Sequence, residues 1–131
     1  MKRPISLIVA SLIAFGGLSG AQAFDKGQLQ AVKSGHKECP GCDLSNASLK
    51  DLDLRMVNLA GANLEGAVLY WSNLAGANLK GAKLTNARLE QVDLTKVSLA
   101  GVNLAKAWCN WTTILPAGSD WTCEGVVLTR K

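Results

Sequence analysis

Leucine recurs on every fifth residue across positions 44–104, thirteen times without a miss. Neither a helix nor a continuous strand accommodates that period. Helical residues five apart are rotated well away from one another, so the leucines would wind around the cylinder and never make one apolar face. In a strand, side chains alternate, and leucines five apart would point to opposite sides of the sheet. A turn must therefore fall inside each unit. The position two before each leucine is mostly small and apolar: Cys42, Ala47, Leu52, Val57, Ala62, Ala67, Ser72, Ala77, Ala82, Ala87, Val92, Val97 and Val102. Two inward residues separated by one outward residue make a very short strand, and the remaining two residues turn a corner. Several corners carry glycine (Gly61, Gly66, Gly76, Gly81, Gly101), which accepts the positive φ of a sharp bend. The outward position before the leucine is rich in Asn and Asp, including Asp43, Asn58, Asn63 and Asn78, whose side chains can bond nearby backbone.

Units such as Ala62-Asn63-Leu64-Glu65-Gly66 and Ala77-Asn78-Leu79-Lys80-Gly81 resemble the A(D/N)LXX unit of the pentapeptide-repeat family. The resemblance covers residues 42–104 without a register break. Weaker units at Ala107-Trp108-Cys109 and Thr112-Thr113-Ile114 extend it to about residue 115. It implies an all-β fold, a right-handed quadrilateral β-helix with four units per coil and roughly three and a half coils. Each stacked leucine contributes roughly 1.5–3 kcal/mol before entropy is subtracted. An open coil would expose leucines and unpaired backbone, so both ends need caps. The expected organisation is an N-terminal cap over residues 24–41, the repeat over 42–115 and a C-terminal cap over 116–131. Leu29, Ala31 and Val32 among polar neighbours suit a short N-terminal cap helix. Pro116-Ala117-Gly118-Ser119 signals a turn, after which residues 121–128 supply apolar side chains that fold across the last coil.

Residues 1–23 read as a removable export signal. Lys2 and Arg3 precede an apolar run over 5–18, and Ala21-Gln22-Ala23 is a small-x-small cleavage pattern. The apolar run is shorter than the ~20 residues a membrane span needs, so no stable membrane insertion is expected after cleavage. No cysteine follows the run, which argues against a lipid anchor. The expected compartment is the periplasm, with secretion as the alternative. Loss of Lys2 and Arg3 lowers the formal charge from +4 to +2, too nearly balanced to imply a nucleic-acid partner.

Four cysteines hold the chain's most reactive atoms. Cys39-Pro40-Gly41-Cys42 is a CxxC motif with the sole histidine, His36, three residues earlier. In an exported protein the default is a structural disulfide. A thioredoxin-like redox centre is the competing reading, although such motifs draw reactivity from a helix N-terminus in a βαβ setting. A metal site of His36, Cys39 and Cys42 wants a fourth ligand that nothing nearby offers, and free buried thiols are a further alternative. A c-type haem is excluded because Asp43 follows Cys42. In the coil the resemblance implies, Cys42 and Cys109 lie about three strand spacings apart, too far to bond. The expected pairs are then Cys39 with Cys42 and Cys109 with Cys123, against a reduced, buried Cys109.

The same coil stacks residues that differ by twenty. One side collects Ser48, Val68, Arg88 and Trp108, beside Lys50, Tyr70, Glu90, Asn110 and Asp51, Trp71, Gln91, Trp111. Tyr70, Trp71, Trp108 and Trp111, with Arg88, form a candidate binding patch for a protein, peptide or glycan. The competing reading assigns Trp108 and Trp111 to the C-terminal cap, packed against Trp121. Trp71 is harder to assign to packing, because it occupies a mid-stack corner where other repeats place Gly, Asn or Lys.

No catalytic constellation emerges. The lone histidine lies in the cap, the glycines recur with the corners, and Asp53 and Asp93 are separated in their column by Asn73. No enzyme activity, cofactor or metal is expected. The reading that follows is a non-enzymatic exported scaffold or protein-interaction module, with homodimerisation open to it. The alternative is a redox or metal-binding protein acting through Cys39 and Cys42. A third reading, the DNA-mimicking, gyrase-protecting activity of some family members, implies a long, acidic, cytoplasmic stack and fits this short, mildly basic, exported chain poorly.

Overall fold

The computed structural model describes residues 24–131; the export signal expected over 1–23 lies outside the described residues. Parallel bridges join residues twenty apart, or twenty-one apart for Asp93 and Ile114, along four faces of a coiled stack. In chain order the faces carry Glu38, Asn58 and Asn78, then Asp43, Asn63, Lys83 and Asn103, then Ser48, Val68, Arg88 and Trp108, and finally Asp53, Asn73, Asp93 and Ile114. Four five-residue units therefore make one coil. Each rung is short because the chain turns after the leucine. Ala62 N–H donates to Leu59 O at 3.0 Å and Ala107 N–H to Leu104 O at 3.0 Å, closing the corner between consecutive inward residues.

The outward Asn and Asp side chains brace those corners. Asn58, Asn63, Asn73, Asn78 and Asn103 each accept, through Oδ1, from the backbone N–H two residues on at 2.9–3.1 Å. The second corner residue then sits in the left-handed region, and its side chain leans over the coil above. Asn46 covers Gly66 in this way and Met56 covers Gly76, leaving no space for a Cβ on either glycine.

Inside, twelve repeat leucines are essentially fully buried, with the small inward residues packed between them. The stack starts one unit earlier than the leucines show. Cys39 occupies a leucine place, pairs through its N–H with Asn58 O at 2.8 Å, and turns through Pro40 and Gly41 into Cys42. Four coils result, over 37–56, 57–76, 77–96 and 97–115, where the leucine register counts about three and a half.

Helix α1, Lys26–Lys33, lies before the first coil. Asp25 caps it by accepting from Gln28 N–H at 3.0 Å. Asp25 N–H also donates to Asp43 O at 2.8 Å, and Gln28 Oε1 accepts from Asp43 N–H at 2.7 Å, so the cap is fastened to the coil edge. Ala31 and Val32 are its buried residues. At the other end, strands β1 (Trp121–Glu124) and β2 (Val127–Arg130) form an antiparallel hairpin. Strand β2 continues the third face, with Val127 antiparallel to Trp108 and Leu128 buried on the core.

Two departures from the register occur in the last coil. Ile114, expected inward at a leucine place, pairs outward with Asp93 and is half exposed, while Leu115 packs against the core. The cause is one extra residue in the preceding corner, where Asn110 Oδ1 gathers Thr112 N–H and both Thr112 and Thr113 hydroxyls. The second departure is at Ser98, which carries no bridge to Asn78.

Candidate functional site

The third face and its corner bring cations and aromatic rings together up the stack. Lys50 in the first coil places its Nζ 4.5 Å from the Trp71 ring centroid and 5.7 Å from that of Tyr70. Tyr70 and Trp71, in the second coil, meet edge to face at 5.4 Å. Arg88 in the third coil lies between levels, its guanidinium carbon 5.8 Å from the Tyr70 ring and 5.2 Å from the Trp108 ring. The order along the axis is therefore cation, aromatic pair, cation, aromatic.

Glu90 fixes the middle of this ladder. Arg88 Nε donates to Glu90 Oε1 at 2.8 Å, with an ion-pair distance of 2.6 Å. That hydrogen bond holds the Arg88 pKa above its ordinary value. The other Glu90 carboxylate oxygen is buried without a hydrogen-bond partner. Trp71 donates its indole N–H to Gln91 Oε1, and Gln91 N–H donates to Asn110 Oδ1 at 3.2 Å.

Tyr70, Trp71, Arg88 and Trp108 thus form one contiguous group, with Trp71 52% and Trp108 41% exposed. Trp111 stands apart: it is 94% exposed and shares no ring or cation contact among the described residues. Lys50, Glu90 and Gln91 complete the group. Composition does not single them out, but their places twenty residues from Tyr70 and Trp71 do.

The cysteines form two pairs. Cys39 is bonded to Cys42 with Cα atoms 5.3 Å apart, and Cys109 to Cys123 at 6.0 Å. CxxC is the repeat's own spacing between a leucine place and the next inward place, so the first bond spans one corner inside the stack. Both sulfur-bearing residues are buried. His36 is exposed, and its Nδ1 lies 3.1 Å from Ala31 O at the end of α1. Among the described residues, no cluster of three His, Cys, Asp or Glu is placed to hold a metal ion, and no helix is long and apolar enough to cross a membrane.

A family model described as pentapeptide repeats matches in eight copies, over residues 42–81 and 72–107. No curated protein sequence matches the chain. Among solved structures, a pentapeptide repeat protein from the thylakoid lumen of Arabidopsis thaliana is similar at 29% identity with a TM-score of 0.54, over 72% of this chain and 59% of that one. The chain therefore spans under two thirds of that relative's length. A pentapeptide repeat protein from Nostoc is also 29% identical, over 71% of this chain and 85% of its own, with a TM-score of 0.35.

Proposed function

This chain belongs to the pentapeptide-repeat family, whose fold is the right-handed β-helix, and on that premise we propose that it is a non-enzymatic exported scaffold that docks a protein partner on its third face. The observation that carries this reading is Trp71. It sits at φ +65°, in a left-handed corner, and yet keeps a bulky ring half exposed. Such a conformation disfavours any side chain with a Cβ, by roughly 1–2 kcal/mol. Core packing does not account for the ring, because the inward places are filled by Leu69 and Ser72. Lys50 and Tyr70 instead hold it in a defined orientation, and rigid aromatic groups beside a cation are what interface anchors are made of.

Export is the second part of the proposal. The signal-like residues 1–23 support it, and so does the lumenal location of the Arabidopsis relative. The buried Cys39–Cys42 bond favours a staple over thiol exchange with solvent. The test is a crosslinking pull-down from native periplasmic extract, comparing the unaltered protein with Trp71→Ala and with Met56→Ala, whose side chain is exposed on the next corner along. The expected result is a partner retained by Met56→Ala and lost by Trp71→Ala. Capture of the same set by Trp71→Ala would remove the third face as the docking surface.

A further inference from the structure

The first face stops pairing at its last rung. One coil lower the ladder is complete: Leu59 N–H donates to Asn78 O at 2.8 Å, Asn78 N–H to Val57 O at 2.9 Å, and Gly61 N–H to Lys80 O at 2.8 Å. The three bonds that would repeat this pattern upward, from the N–H groups of Leu79, Ser98 and Gly81, are absent among the described residues. The upper edge of the same rung is also open. Among the described residues, Leu99 and Gly101 N–H and Val97 C=O make no backbone bond to residues above them. Ser98 stands where Asn58 and Asn78 brace the backbone N–H two residues on, and makes no such bond among the described residues. Leu99 is the one repeat leucine that is only partly buried.

Over this edge lies a groove of about 370 Å³, between residues 97–102 on one side and 116–121 on the other, with Arg130 at its rim. The third face shows what an edge of this kind accepts. There, Cys109 N–H donates to Val126 O at 3.0 Å and Leu128 N–H donates to Ala107 O at 2.9 Å, seating strand β2 on the last coil. In the five-residue register, Leu99 N–H and Val97 C=O hold the same places as Cys109 N–H and Ala107 C=O. One such pair is occupied by the chain's own strand. The other faces the groove.

We propose that this groove is a docking site for an extended peptide segment of a partner protein, added as a strand to residues 97–101. The recognition is mainly through the main chain, because the site offers donors and an acceptor at strand spacing. Leu99 and Trp121 supply an apolar wall for alternate side chains. Arg130 and Asp120 are only loosely paired, at 3.9 Å and both largely exposed, so each is available to a polar or charged neighbour on the peptide. A bound strand would give partners to backbone groups that have none above them in the described fold, which is the source of its affinity. The site shares no residue with the third-face group and stands or falls independently of it.

The test begins with a displayed library of random heptapeptides selected on the purified protein. An enriched sequence is synthesised with a fluorescent label and its binding followed by polarisation. N-methylation of alternate amides leaves the protein untouched and removes main-chain donors from the peptide, and it is expected to weaken binding about tenfold or more. Ala117→Trp, which fills the groove from its exposed wall, is expected to do the same, and amide resonances of Leu99 and Gly101 are expected to shift on titration of the unaltered protein. No enrichment, full affinity of the N-methylated peptide, or loss of binding in Trp71→Ala with Ala117→Trp unaffected would each overturn the proposal.

Discussion

Trp71 donates its indole N–H to Gln91, the residue above it one coil up, from a backbone conformation that six other corners give to glycine. The strain of that conformation, roughly 1–2 kcal/mol, is set against a cation–π contact with Lys50 of about 0.5–1 kcal/mol and one exposed hydrogen bond of about 1 kcal/mol. These nearly cancel. Trp71→Gly is therefore expected to change unfolding free energy by no more than about 1 kcal/mol, measured by urea titration, while abolishing partner capture. A destabilisation of the size of a core Leu→Ala change, about 2–5 kcal/mol, would make Trp71 a structural residue.

Gly61 and Gly66 share a φ of +67° but differ in what stands over them. A Cβ on Gly61 meets nothing, whereas one on Gly66 overlaps the Asn46 side chain. Gly61→Ala is expected to cost about 1 kcal/mol from backbone strain alone, and Gly66→Ala more. The double variant Asn46→Gly with Gly66→Ala should fall back to the Gly61→Ala level apart from the direct effect of Asn46→Gly, which a double-mutant cycle by urea denaturation separates.

The Cys109–Cys123 bond links residues fourteen positions apart in the sequence and fastens the hairpin to the last coil. Replacing both cysteines by serine is expected to cost about 3 kcal/mol on the chain-entropy account. The effect should be local. Hydrogen exchange at the Cys109 and Leu128 positions, whose amides bond across that junction, should accelerate, while exchange at Leu59 and Leu64 stays slow.

Arg55 bonds Asp53 through Nε at 2.8 Å and holds its carboxyl well below the usual carboxylate range, with the Arg55 backbone N–H helping. A depressed folded-state pKa gives stability that is present above the unfolded pKa and is lost as pH falls through the folded one. Both side chains are more than half exposed, so the pair contributes little overall. Arg55→Gln is expected to move the Asp53 titration midpoint up toward its ordinary value, followed by carboxyl carbon NMR, with the urea midpoint at neutral pH unchanged. A midpoint that stays low in the variant would assign the shift to the backbone instead.

Most of the architecture is legible because each repeat leucine answers to its neighbours twenty residues away, and the five-residue period together with the four units per coil that the family resemblance implies states which those are. What the period does not reach lies at the ends. Cys39 fills a leucine place without being leucine, so the first unit hides inside a cysteine motif. The extra residue between Cys109 and Leu115 is absorbed by Asn110 hydrogen bonds, and counting in fives sets Ile114 inward where the chain turns it out. Val97-Ser98-Leu99-Ala100-Gly101 reads as an ordinary unit, and its lost pairing depends on what lies above and below it. The third-face group was readable as columns of residues, but the alternation of Lys50, Tyr70, Arg88 and Trp108 depends on how long side chains lean between levels.

The ladder bonds run along the axis of the stack, so tension between its two ends is shared by all four faces at once, as strands share the load in a rope. Between the third and fourth coils the first face contributes none of its three ladder bonds. A pulling force would then act off-centre at that level, tilting the last coil and its hairpin about the faces that still hold. Parting there would release residues 97–131 as a block and leave the coils below it closed.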